Sequence, residues 1–299
     1  MEKAIIKTLI YADIFNYPLK AWEIHKWLIG RKTDLPGVEK ALTSKSLRSR
    51  VKSQDGYYYL KGRKKIVEQR LGKEKQSAKL MRQAIFISKF FKLVPGVKLV
   101  GVSGNLAMDN ADRFDDIDLF VITSKGKLWS SRATLVGILT FLDRRRSRNE
   151  KKELAAGKVC LNLLLEENNL RQKNTDLYTA HEVLQMRVLW QRGNIYSKFL
   201  EDNEWVFKFL PNWVSTVNTG GNSVGAPGPA SSVSRRPSSL SPSSRALEAV
   251  VKTLQLRYMG RPSGKERIGE GELYFHPEDY REKILTEFKR RAVRMLKNG

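Results

Sequence analysis

Apolar residues recur at helical spacing over residues 2–17, at Ile5, Ile6, Leu9, Ile10 and Ile14, until Asn16-Tyr17-Pro18 breaks the run. A second amphipathic helix is expected over 19–29, with Ile24, Trp27 and Leu28 inward. Pro36 starts a third, carrying Val38, Ala41 and Leu42. Val51 to Leu60 reads as a hairpin turning at Gln54-Asp55-Gly56, with Tyr57, Tyr58 and Tyr59 on the return strand. Residues 64–93 form one long helix, basic at first and apolar later, which Pro95-Gly96 closes ahead of a strand at 98–102. A strand at 117–123, a helix at 127–142 and a strand at 158–166 follow. Residues 176–210 read as strongly helical and aromatic. From 215 to 246 Gly, Pro and Ser dominate and no apolar period survives, which marks a flexible linker or insertion. Helices resume over 247–259 and 277–297.

The stretch Leu99 to Thr123, LVGVSGNLAMDNADRFDDIDLFVIT, carries the chemistry. A hydrophobic strand enters a tight turn at Ser103-Gly104-Asn105. A second strand then opens with Asp116 and Asp118. Alternate strand residues point the same way, so both carboxylates lie on one face while Ile117, Leu119 and Val121 face the core. Two hard oxygen donors at that spacing suit Mg2+, which completes its shell with water and substrate phosphates. A small-residue turn leading into a helix N-terminus offers N–H groups to a phosphate. These are parts for holding a nucleoside triphosphate through its metal.

On these residues the chain resembles the polymerase-beta-type nucleotidyltransferases: a Gly-Ser turn, a spacer, then Asp-x-Asp in an apolar strand. Gly104 matches the glycine, Asn105 stands where the family usually has serine, and Asp116 and Asp118 match the paired metal ligands. The resemblance implies a mixed-sheet transferase domain, one or two Mg2+ ions, and transfer of a nucleotidyl group from an NTP with release of pyrophosphate. Gly104 and Asn105 would position phosphate, with Ser103 as a helper. Lys125, Lys127 and Arg132 are the nearest cations for the triphosphate.

The family's third acid, on a neighbouring strand, has no evident match. In 158–166 period two places Val159, Leu161, Leu163 and Leu165 on one face and Cys160, Asn162, Leu164 and Glu166 on the other. The strand-centre position falls on Asn162, whose amide oxygen can ligate Mg2+ but cannot act as a base at neutral pH. Glu166 shares that face but lies roughly 13 Å further along the strand. Three arrangements are compatible with this. Two carboxylates suffice with a base from elsewhere, a bulge swings Glu166 in, or the chain is an NTP-binding relative with weak or no transfer.

Three helices and a hairpin within residues 1–63 look like a winged helix-turn-helix, a module that often places its third helix in a DNA major groove. Lys40, Lys45, Arg48, Arg50 and Lys52 surround that helix and wing. Lys and Arg total 55 against 31 acids, a net charge of +24, which favours polyanionic partners. Docking onto protein or onto the chain's own catalytic domain explains the module equally well. No segment approaches the roughly 20 apolar residues of a bilayer span, and the N-terminus lacks a signal-peptide pattern. The single cysteine, Cys160, fits a reducing cytoplasm. His181-Glu182 opens like a zinc-protease motif, but Gln185 occupies the second histidine's place. The expected fold class is α+β. A winged-helix-like module (1–63) precedes a nucleotidyltransferase-type mixed sheet with flanking helices (64–170). A helical region (171–214), a linker (215–246) and a C-terminal helical segment (247–299) complete the chain. The acceptor remains open, and the rival reading is a nucleotide-sensing or nucleic-acid-binding regulator built on a transferase-like fold.

Overall fold

Isoleucines at helical spacing build the first helix, α1 (Glu2–Ile14), which buries Ile5, Ile6, Leu9 and Ile10. Asn16, at φ +53°, turns the chain into β1 (Leu19–Lys20) and α2 (Ala21–Lys26). The Glu23 carboxylate accepts from the Lys20 amide at 2.8 Å and closes the first turn of α2. In α3 (Leu35–Leu42) Asp34 accepts from Gly37 N at 3.0 Å, and Pro36 sits where a missing N–H costs nothing. A short α4 (Lys45–Arg48) leads to β2 (Val51–Gln54) and β3 (Tyr57–Leu60). The hairpin turns on Asp55 and Gly56, both at positive φ, as a two-residue turn requires. The three strands form a sheet in the order β1-β3-β2. The computed structural model describes residues 1–147, 150–151, 153–213, 241–259, 266–275 and 280–297.

The long α5 (Lys65–Phe91) joins this unit to a second, six-stranded sheet. Buried Arg70 secures the junction: it bonds Glu23 at 2.9 Å and Glu74 at 2.8 Å, and stacks 3.6 Å from the Tyr17 ring centre. Then come β4 (Val97–Val102), α6 (Gly104–Ala107), β5 (Ile117–Thr123), α7 (Leu128–Phe141) and β6 (Val159–Glu166). They are followed by α8 (Leu177–Gln185), β7 (Arg187–Gln191), α9 (Ile195–Asp202) and a 3-10 turn at Glu204–Lys208. The described chain closes with α10 (Pro242–Met259), β8 (Arg267–Gly269), β9 (Glu272–Tyr274) and α11 (Tyr280–Lys297). Strand order is β7-β4-β5-β6-β9-β8, with β5 and β6 parallel and the other neighbours antiparallel. The class is α+β.

Alternation divides the sheet between two hydrophobic layers. Val100, Val102, Ile117, Leu119, Val121, Val159, Leu161 and Leu164 pack with α5 and α7. Leu99, Phe120, Ile122 and Leu165 pack with α8 and α9 through Leu177, Val183, Leu184 and Phe199. A bulge interrupts strict period two in β6. Leu119 faces Leu161 but Phe120 faces Leu163, so Asn162 is the extra residue and every side chain after it changes face. Leu163 therefore joins Leu165 in the second layer, and Leu164 joins Val159 and Leu161 in the first.

The expected continuous helix over 176–210 is broken by β7, which pairs with β4 through Leu99–Gln191 and Val102–Arg187. The β8–β9 hairpin was not legible as strands, being three residues each and polar at the ends. Most of the expected linker lies outside the described residues, and α10 begins at Pro242, within the stretch assigned to the linker. Finally, α11 returns to the N-terminal unit: Ala292 enters its core and Arg291 bonds Asp13 at 2.7 Å. Among the described residues no helix is long and apolar enough to cross a membrane.

Candidate active site

Antiparallel β4 and β5, with β6 parallel to β5, bring three chain segments to one end of the sheet: the exit of β4, the entry of β5 and the entry of β6. Register places Asp118 opposite Cys160. Asp116 precedes β5 by one residue. Ligand atoms of Asp116, Asp118 and Cys160 all lie within 4.8 Å of one another, close enough to hold a metal ion together.

The turn after β4 is fitted to this group. Ser103 N donates to the Asp118 carbonyl at 3.0 Å, and the Ser103 hydroxyl points to the same oxygen at 3.5 Å. Gly104 sits at φ +63°, and a Cβ there would stand 3.0 Å from Asp118 Oδ2. Both the left-handed backbone and the close approach call for glycine. Asn105 Nδ2 donates to Asp115 Oδ2 at 2.9 Å, and that oxygen also takes the Asp112 amide at 3.0 Å. Asn105 thus folds the loop that delivers the aspartates.

Charge within the cluster is unbalanced. Burial, then the neighbouring Asp116, pushes the Asp118 carboxyl well above the usual carboxylate range. Arg146 opposes this: its Nη1 lies 2.5 Å from Asp116 Oδ2. Burial disfavours the Arg146 charge, but the Asp116 carboxylate overrides it and raises the guanidinium's pKa. Burial and both carboxylates drive the Cys160 thiol upward, so it is protonated at neutral pH. On α8, which packs against α6, burial raises Glu182 to about 7, and its charge is felt at Asp118.

No family model, curated protein or solved structure matches this chain.

Of the residues singled out from sequence, Ser103, Gly104, Asn105, Asp116 and Asp118 come together. The others do not. Asn162 is buried in the β6 bulge, and its carbonyl accepts from Phe275 N at 2.9 Å. Glu166 faces Thr123 at the opposite end of the strands, so no bulge brings it to Asp118. Its carboxylate instead takes the Gly126 and Leu128 amides. Lys125 lies at that far end too, its amide bonded to Glu167 at 3.2 Å. Arg132 is held between α7 and α10, bonded to Gln255 and lying 5.0 Å from the Phe275 ring centre.

Four groups were not legible as site residues: Cys160, Arg146, Glu182 and Arg187. Cys160 is placed by register alone. Arg146 belongs to the run Arg144-Arg145-Arg146, which reads as a solvated helix end. Glu182 was considered only as half of a zinc motif. Arg187 opens β7 beside Val102, next to the Ser103 turn, and bonds Asp109 at 2.7 Å.

Proposed function

We propose that this chain is a Mg2+-dependent nucleotidyltransferase of the polymerase-beta type, moving an NMP group from an NTP to a hydroxyl acceptor. The observation that carries the reading is the convergence of Asp116 and Asp118 beside the Gly104 turn. Sheet topology supports it, since an antiparallel β4–β5 pair followed by parallel β6 gathers the motif's parts at one end.

The donor set fits a hard cation. Two carboxylates supply oxygen, while the protonated Cys160 thiol is a poor partner for such an ion. Mg2+ held by Asp116 and Asp118 would neutralise charge on the transferring phosphoryl group. Arg146, which bonds Asp116, and Arg187 would supply positive charge for the triphosphate. The acceptor hydroxyl oxygen attacks the α-phosphorus as the α–β bridging P–O bond breaks and pyrophosphate leaves. Glu182, with a pKa of about 7, takes the hydroxyl proton in place of the acid that β6 lacks.

One observation favours a second reading: β6 contributes Cys160, not a carboxylate, to the cluster. A nucleotide-sensing regulator needs no third acid. The N-terminal unit, with winged-helix order and exposed Lys40, Lys45, Arg48 and Lys52, supports nucleic-acid contact in either case.

The test is incubation with Mg2+ and each α-labelled NTP, beside Asp116→Asn, with total RNA and cell extract as acceptors. Label transferred by wild type alone is expected, because the variant loses a charged ligand at constant volume. Full activity in Asp116→Asn would falsify the site assignment. Mg2+-dependent NTP binding without transfer would select the sensing reading.

A further inference from the structure

Helix α5 carries a feature that its packing does not use. Lys75, Lys79, Arg82, Phe86 and Lys89 recur at intervals of four, three, four and three, and therefore share one helix face. All five are exposed, Phe86 by 56%. From Lys75 to Lys89 this face bears no acid, and Glu68 lies one heptad before it. Among the described residues none of its four cations makes a salt bridge. The stripe is roughly 20 Å long, at 1.5 Å per residue.

Its central part forms one wall of a groove of about 480 Å3 lined by Lys79, Arg82, Phe86, Leu142 and Arg144. Leu142 and Arg144, from the end of α7, form the opposite wall. Gln83 lines the groove as well, and its Oε1 is buried with no hydrogen-bond partner among the described residues. The groove lies on the α5–α7 face of the sheet and is connected through the chain to the loop of the aspartates. Arg144 is two residues from Arg146, which bonds Asp116. Gly157 packs against Leu80 and Gln83 of α5 and donates to the Asp115 carbonyl at 3.0 Å.

We infer that this groove binds single-stranded nucleic acid. Cations on both walls, none of them in a salt bridge among the described residues, track a phosphate backbone, and exposed Phe86 offers a stacking surface to an unpaired base, a combination that recognises single strands without regard to sequence. An apolar partner would leave the cations unmatched. A duplex would leave Phe86 without a base to stack on.

The experiment measures binding of labelled oligouridine, oligothymidine and a DNA duplex by fluorescence anisotropy over a salt series. It compares full-length wild type with Lys79→Gln/Arg82→Gln, Phe86→Ala, and Lys40→Gln/Arg48→Gln as a wing control. The expected result is preference for single strands, with the groove pair lowering the log–log salt slope by about 1.4, or 0.7 per lost phosphate contact. Phe86→Ala should weaken binding roughly five- to a hundredfold with the slope unchanged. Mg2+-NTP binding should persist in each. A preference for uridine over thymidine oligomers would make the bound strand RNA. Single-strand affinity unchanged by both groove variants overturns the inference. So does competition by polyglutamate as effective as by the oligonucleotide.

Discussion

Gly104 is the residue where backbone and chemistry constrain each other most tightly. Alanine there meets a positive φ and stands 3.0 Å from Asp118 Oδ2 at once. Gly104→Ala should cost on the order of 1–3 kcal/mol and also displace Asp118, so under the proposed function transfer should fall by far more than stability. Thermal melts beside labelled-NTP assays check this, and wild-type turnover in the variant would show that the turn does not position Asp118. Glu182 gives a pH signature. Its ordinary value of 4.5 is raised to about 7 in the fold, chiefly by burial. Between those values the folded chain holds more protons than the unfolded one, so stability falls as pH rises through that window. Glu182→Gln removes this dependence, and its Tm should decline less than that of wild type from pH 4.5 to 7. Parallel curves would contradict the burial of Glu182. Under the proposed mechanism the same variant also loses the pH dependence of transfer near 7.

Elements set by local pattern were legible, and elements set by distant partners were not. The α1 isoleucines, Pro36 at the start of α3 and the Asp55-Gly56 turn each carry their own physical cause within a few residues. So does the Gly104 turn with its two aspartates. By contrast, β7 is a five-residue edge strand that exists because β4 offers it a ladder, and β8 and β9 form because β6 does. The β6 bulge at Asn162 is likewise invisible to a period count, yet it determines which side chains follow on each face. Glu166 is kept from the carboxylate set by distance along the strand, since it faces Thr123 at the far end. After β7, the turn from α9 into Glu204–Lys208 depends on fully buried Asn203. This side chain takes Gln172 N at 2.8 Å and donates to Leu170 O and Phe199 O at 2.9 and 2.8 Å. Asn203→Ala leaves these groups buried and unpaired, and should destabilise the fold by on the order of 3 kcal/mol. Chemical denaturation measures it, and a change below a tenth of that would mean that water satisfies them.

At the scale of the whole molecule, the N-terminal unit is held to the rest at several points. His181 on α8 lies between the Tyr11 ring at 4.1 Å and the Trp27 ring at 5.2 Å, and burial lowers its pKa to about 3. The stack is therefore neutral throughout the physiological range. Asp13, nearly buried, accepts from Arg63 at 2.8 Å and from Arg291 at 2.7 Å. Asp13→Ala should loosen α11 and lower stability by about 2 kcal/mol, the range for hydrogen bonds to charged groups. Limited proteolysis should then cut within α11 sooner than in wild type, while the metal binding proposed for Asp116 and Asp118 should be unchanged. Equal cleavage rates would mean that Ala292 and its apolar neighbours hold the helix without the ion pair.

The return of α11 also has a meaning in time. Arg291 and Asp13 are 278 residues apart in the chain, and Ala292 belongs to the core that α1 begins. At 5–20 residues per second, on the order of 10 to 60 s separate the synthesis of the two. Helix α1 thus waits that long for the helix that completes its covering. During that interval its apolar face is an exposed surface on a nascent chain, open to chaperones.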